Sequence, residues 1–166
     1  MTIHFNGLDA FGGREVALAR PHPLLVGPVS DALERLRMRG RPLSTVREIA
    51  SLDANRLAGA IVSAASSSSV KESLADVCQA LRSAHPTLPV AVSTLMDEDQ
   101  AVRSLRGVLA PIYGAFDFER IAGLGAYRVA TGIRILLITR SDFSHPEELD
   151  RALSAFFSKP KPISHT

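Results

Sequence analysis

SVKESLADVCQALRSAHPTLPVAVST, residues 69 to 94, joins an amphipathic helix, a proline-bounded turn and a short apolar strand that ends on a hydroxyl. Ser69 and Glu72 stand three apart ahead of an apolar period, the pattern of a capping box. Val70, Leu74, Val77 and Leu81 then recur at spacings of four, three and four, which buries one helix face. Pro86 and Pro89 close the turn, and Val90 to Val92 forms the strand, with Thr94 at its end. This order is one unit of an open parallel sheet.

Upstream, Gly59 to Ala64 (GAIVSA) is small and apolar throughout rather than alternating, as expected for a central strand covered on both faces. It runs into Ser66 to Ser69, whose hydroxyls and free amides suit helix capping. Leu43 to Ile49 is a weaker edge strand behind Pro42, followed by a short helix around Asp53 to Leu57. His22 to Pro28 (HPLLVGP) is an apolar run between prolines, which fits a first strand. Ser30 then caps a helix from Asp31 to Arg39, stopped by Gly40. Residues 1 to 20 show no clear period and are expected to form an N-terminal arm.

Downstream, Asp97 and Gln100 open another capped helix through Ala101, Val102 and Leu105, closed by Gly107. Two segments compete for the fifth strand, Val108 to Tyr113 and Ile133 to Thr139. Ala126 to Ala130 offers a hairpin partner for the second. Ser144, Pro146 and Glu147 mark the start of a last helix with Leu149, Leu153 and Phe156 as its stripe. The expected organisation is an arm over 1–20, an α/β domain over 21–158 and a basic tail over 159–166. The fold is a flavodoxin-like doubly wound parallel sheet of about five strands, with an added hairpin or edge strand.

Composition sets the class. A chain of 166 residues, 46% hydrophobic, is long enough for one ordinary core. Its longest unbroken apolar run, Ile135 to Ile138, cannot span a bilayer. The first residues lack a cationic segment followed by an apolar one, so no secretory signal is expected and the placement is cytoplasmic. The single Cys78 lies on the apolar helix face and reads as a packed thiol. Net charge is +2, and only Lys71, Lys159 and Lys161 among the 19 cationic residues are lysines. Arg35, Arg37, Arg39 and Arg41 cluster where cations complement a helix C-terminus.

Leu81-Arg82-Ser83-Ala84-His85-Pro86-Thr87-Leu88-Pro89-Val90 resembles the middle of a bacterial response-regulator receiver domain, and the similarity of pattern extends from Pro23 to Phe157. The resemblance implies two acidic residues after the first strand to hold Mg²⁺, an Asp after the third to accept phosphate, a hydroxyl ending the fourth and a Lys ending the fifth. Each part has a physical task. Carboxylates hold a hard cation, the Asp is the nucleophile, and hydroxyl and Lys hold the phosphoryl oxygens. Carried over by position, the acidic pair falls on Gly27 and Pro28, and the acceptor on Ser63 or Ala64, none of which has a carboxylate. Thr94 matches the hydroxyl. Arg140, in Arg140-Ser141-Asp142-Phe143, keeps a cation near the Lys position, in preference to Gly114-Ala115-Phe116.

The chain therefore resembles a degenerate, or pseudo-, receiver that does not accept phosphate on aspartate. It is expected not to be an enzyme and to need no metal or cofactor. Ser63, Thr94 and Arg140 are its residual switch or ligand contacts. A kinase, regulator or effector protein is the expected partner, with a homodimer as a further candidate. The alternative is a small-ligand or nucleotide sensor at the strand-end crevice. The five histidines do not form a metal set, since His22, His85 and His145 each precede a proline and His4 and His165 lie near the ends. No Gly-x-Ser-x-Gly or Walker lysine occurs. The lack of Trp and of a basic helix with interleaved aromatics argues against nucleic acid, and the missing apolar span against a membrane.

Overall fold

A computed structural model describes residues 14–65, 72–121 and 133–158. Six strands run parallel in one sheet: β1 (Glu15–Ala19), β2 (Arg39–Pro42), β3 (Leu57–Ser63), β4 (Val90–Ser93), β5 (Phe116–Arg120) and β6 (Ile133–Ile138). Their spatial order is β2-β1-β3-β4-β6-β5. Four helices, α1 (Pro23–Arg35), α2 (Leu74–Ala84), α3 (Glu98–Tyr113) and α4 (Pro146–Phe157), cover the two faces. Without β5 the order is that of the flavodoxin-like sheet, with β6 in fifth place. β5 is an added edge strand, parallel to β6.

Strand sequence and burial agree. Every residue of β1, β3 and β4 is buried, because helices lie on both sides. One layer joins Ala17, Ala60, Val62, Val92, Ile135 and Leu137 to Val77, Leu81, Leu105 and Leu109 of α2 and α3. The other joins Val16, Leu18, Ile61, Ala91 and Leu136 to Leu33 of α1 and Leu153 and Phe157 of α4. Alternate strand residues point to opposite layers, as the pleat requires. At the β2 edge, Arg39 and Leu43 donate to Arg14 and Leu18, so the main-chain groups of Gly40 and Pro42 point away from β1. Pro42 has no N–H to offer a further strand.

Several expected elements are corrected. His22 to Val26 is not the first strand. His22 is the N-cap of α1, its Nδ1 accepting from Leu24 N at 3.1 Å, and Pro23 sits in the first turn. Leu25, Val29, Ala32 and Leu33 form the buried stripe, at helical spacing. The first strand is Glu15–Ala19, so the segment expected as an arm over 1–20 contributes a central strand; residues 1–13 lie outside the described residues. α1 ends before Gly40, with Arg37 at φ 57° and the paired bonds Arg37 N to Glu34 O and Met38 N to Leu33 O. Residues 39–42 form the edge strand, and Val46–Ser51 is a 3-10 turn, η1, instead of a strand. No helix forms over Asp53 to Leu57.

α2 begins later than the Ser69 box implies. Ser73 is its N-cap, accepting from Asp76 N at 3.0 Å, while Ser69 falls outside the described residues. α3 starts at the expected cap, with Asp97 accepting from Gln100 N at 2.9 Å, but passes through Gly107 and Pro111 to end at Gly114, φ 69°. Val108 to Tyr113 is therefore helix, and the fifth sheet position belongs to Ile133–Ile138. The expected hairpin at Ala126 to Ala130 and the tail over 159–166 fall outside the described residues. α4 follows the predicted Pro146 start, though its N-cap is His145 and no side chain caps it.

Candidate functional site

In a doubly wound sheet, ligand chemistry gathers beyond the strand C-termini where the strand order reverses, here between β1 and β3. β1 delivers Arg20 to that point. Arg20 is 8% exposed, and its φ of 49° is a left-handed conformation that costs a side-chain-bearing residue about 1 kcal/mol or more. The turn directs the guanidinium across the end of the sheet. Nη1 donates to the Ser63 carbonyl at the end of β3, and Nε donates to the Glu72 carbonyl just before α2 at 2.7 Å. Burial lowers the Arg20 pKa, and the nearby Cys78 and Glu72 oppose that shift. The group stays cationic, as guanidinium does in proteins.

Glu72 extends the same network. Its Oε2 accepts from Val46 N, the first amide of η1, at 2.9 Å. Arg20 and Glu72 thus connect the ends of β1 and β3, the start of α2 and the start of η1. The expected first-strand positions, Gly27 and Pro28, lie inside α1 and take no part. The residues that follow the first strand are Arg20 and Pro21, neither of which has a carboxylate.

The three singled-out residues separate. Ser63 is buried, and its Oγ accepts from Ala65 N at 3.1 Å. Thr94 is also buried, and its Oγ1 accepts from Met96 N at 3.1 Å. Both hydroxyls therefore close local turns at adjacent strand ends, where Ser63 pairs in register with Ser93. Arg140 does not join them. It is exposed at the start of a 3-10 turn, η2 (Arg140–Ser144), and the buried residue at the end of β6 is Thr139. Thr139 is tied to Asp142, whose Oδ2 accepts from Thr139 N at 2.7 Å and from its hydroxyl at 3.0 Å.

Little space remains among these groups. The cavity framed by Ala19, His22, Val29, Ser63 and Ser93 holds about 10 Å³, against the several hundred that a bound metabolite fills. A larger hollow of about 650 Å³ lies at the opposite, amino end of the strands, beside Arg82, His85, Tyr113, Arg134 and Phe156. Among the described residues no three His, Cys, Asp or Glu side chains stand close enough to hold a metal ion. Beneath Arg20, burial pushes the Cys78 thiol up to about 12, so it is protonated at neutral pH. The sequence reading missed Arg20 and Glu72. The Glu15-Val16-Ala17-Leu18-Ala19 run, ending at Arg20-Pro21, was the available signal, but the richer HPLLVGP run beside it drew the strand assignment.

With this geometry in hand, comparison with solved structures finds a putative pilus assembly-related protein from Burkholderia pseudomallei. It superposes with a TM-score of 0.52 at 14% identity, covering 88% of this chain and 90% of that one. At that identity the likeness establishes the fold, a flavodoxin-like doubly wound α/β sheet. No protein-family model matches the sequence, and no curated protein matches it. Among the described residues no helix is long and apolar enough to cross a membrane.

Proposed function

We propose that this chain is a receiver-like regulatory module that acts by protein–protein contact and is not switched by aspartyl phosphorylation. The observation that carries the reading is Arg20, a buried cation bonded to the Ser63 and Glu72 carbonyls at the strand end. The resemblance would require carboxylates and Mg²⁺ there. A second cation beside a fixed guanidinium is repelled, and Ser63 has no carboxylate to accept a phosphoryl group. The module is accordingly non-enzymatic in this reading. Its partner is a kinase, regulator or effector protein, or a second copy of the chain.

The reading places the module in a reducing, cytoplasmic setting, in keeping with one buried, protonated thiol. The description of the structural neighbour suggests assembly of a surface fibre as the process to test first. A small-ligand sensor at the same crevice is less well supported, because about 10 Å³ of space does not admit a nucleotide. The deciding experiment adds Mg²⁺ with beryllofluoride, and separately acetyl phosphate, to the purified protein. Unchanged amide resonances around Ser63, Thr94 and Thr139 and an unchanged mass are expected. A Mg²⁺-dependent shift or a phosphoryl adduct overturns the proposal.

A further inference from the structure

We infer that Arg20 is a resident clamp that holds the carboxyl end of the sheet in one conformation, doing permanently what a bound cation and phosphoryl group do transiently in a switchable module. The clamp rests on the receiver-like reading for its functional meaning, while its geometry stands on three observations. First, the Arg20 side chain ties the end of β1 to two later points of the chain, the end of β3 at Ser63 and the residue before the α2 cap, Glu72. Second, the Glu72 carboxylate holds Val46 N at 2.9 Å, so η1 is carried by the same network. Third, the backbone at Arg20 adopts φ 49°, a conformation disfavoured for any residue with a Cβ. Such a conformation persists where surrounding contacts over-determine it.

The side-chain type follows from the task. A buried cation without a directly bonded carboxylate needs several acceptors, and the planar fork of arginine reaches two carbonyls at once from a single rotamer. Lysine carries the same charge on a single nitrogen at the end of a flexible stem and is not pre-organised for both carbonyls. Leu43, Thr45, Val46, Ile49 and Val77 line the same narrow cleft as Arg20 and Glu72. The strand end, η1 and the entry to α2 are therefore joined through one network.

Two experiments on the full chain test this. In the wild-type protein, the Arg20 Nε–H is expected as a resolved NMR resonance whose exchange with water is at least tenfold slower than that of exposed Arg47. Arg20→Met removes both hydrogen bonds while keeping an apolar stem of similar length. Its Val46 and Val77 amides should exchange at least tenfold faster than in wild type, while those of β4 keep their rates. Arg20→Lys should resemble Arg20→Met, because charge alone does not bridge the two carbonyls. A fast-exchanging Arg20 Nε–H, or unchanged Val46 and Val77 exchange in the folded variants, overturns the clamp. Neither outcome depends on Mg²⁺ or beryllofluoride, so failure of the clamp and failure of the receiver-like reading are separable.

Discussion

Gly59 and Phe157 set how closely α4 approaches the sheet. A Cβ added at Gly59 would clash with two ring carbons of Phe157 and lie 2.9 Å from the Pro89 carbonyl oxygen; Phe157 is held in the core and the Pro89 carbonyl is bonded to Ala60 N. Gly59→Ala is therefore expected to destabilise the protein by about 1–3 kcal/mol, the usual range for overpacking. Chemical denaturation should show a lowered midpoint with an unchanged slope. At the far side of the sheet, Tyr113 stacks near Phe116 at 6.4 Å, and its ring lies under the Arg82 guanidinium at 5.6 Å. Its hydroxyl is buried beside the Cys78 thiol, and the two side chains interact. Burial raises the pKa of both groups, so neither carries charge at neutral pH.

Helix α3 shows how an element survives unfavourable residues. Gly107 and Pro111 lie in its interior, yet Ala101, Leu105, Leu109 and Tyr113 keep a continuous buried stripe, and Asp97 caps the start. Tertiary packing thus overrides two breakers that made the segment after Gly107 unreadable as helix. Gly107 has open space where a Cβ would stand, so Gly107→Ala should stabilise the protein by about 0.5–1 kcal/mol. A raised melting temperature checks it. The same contrast explains what was legible. The β3 and β4 runs were readable because composition and burial agree, as were Leu74, Val77 and Leu81 in α2 and Leu149 and Leu153 in α4, whereas the aromatic that completes the α4 stripe is Phe157 and the expected Phe156 is half-buried. The first strand was not, because HPLLVGP is apolar enough for a strand while its Leu25, Val29, Ala32 and Leu33 spacing is helical. The crevice was legible only as missing carboxylates. Arg20 was hidden because its role follows from a turn conformation and from two carbonyls distant in sequence.

On the scale of the whole molecule, the two sheet edges differ. β2 is short and mostly exposed, and Pro42 at its outer edge has no N–H to offer. β5 is bound on its inner side by β6 and pinned to α3 by Arg106, whose guanidinium lies 5.4 Å from the Phe116 ring and 5.5 Å from Phe118. Ion pairs between Arg134 and Glu119 at 2.5 Å and between Arg120 and Glu98 at 3.3 Å add to that attachment. The exposed Arg120–Glu98 pair contributes about 1 kcal/mol or less, while the Arg134–Glu119 pair is half-buried beside the strand ladder.

The placement of β5 outside β6 carries a consequence for synthesis. Among the described residues β5 pairs with β6 alone, and β6 follows it in the chain and slots between it and β4, so β5 is synthesised before that partner. Until β6 emerges, Phe116 and Phe118 have no ladder to rest on, and the flank of β4 is bare. A chain truncated after Gly132 is therefore expected to bind a hydrophobic dye and to be cut readily by protease, whereas the full chain resists both. Completion of this sheet is a late, insertional event, and the window before it is when a chaperone would meet the chain.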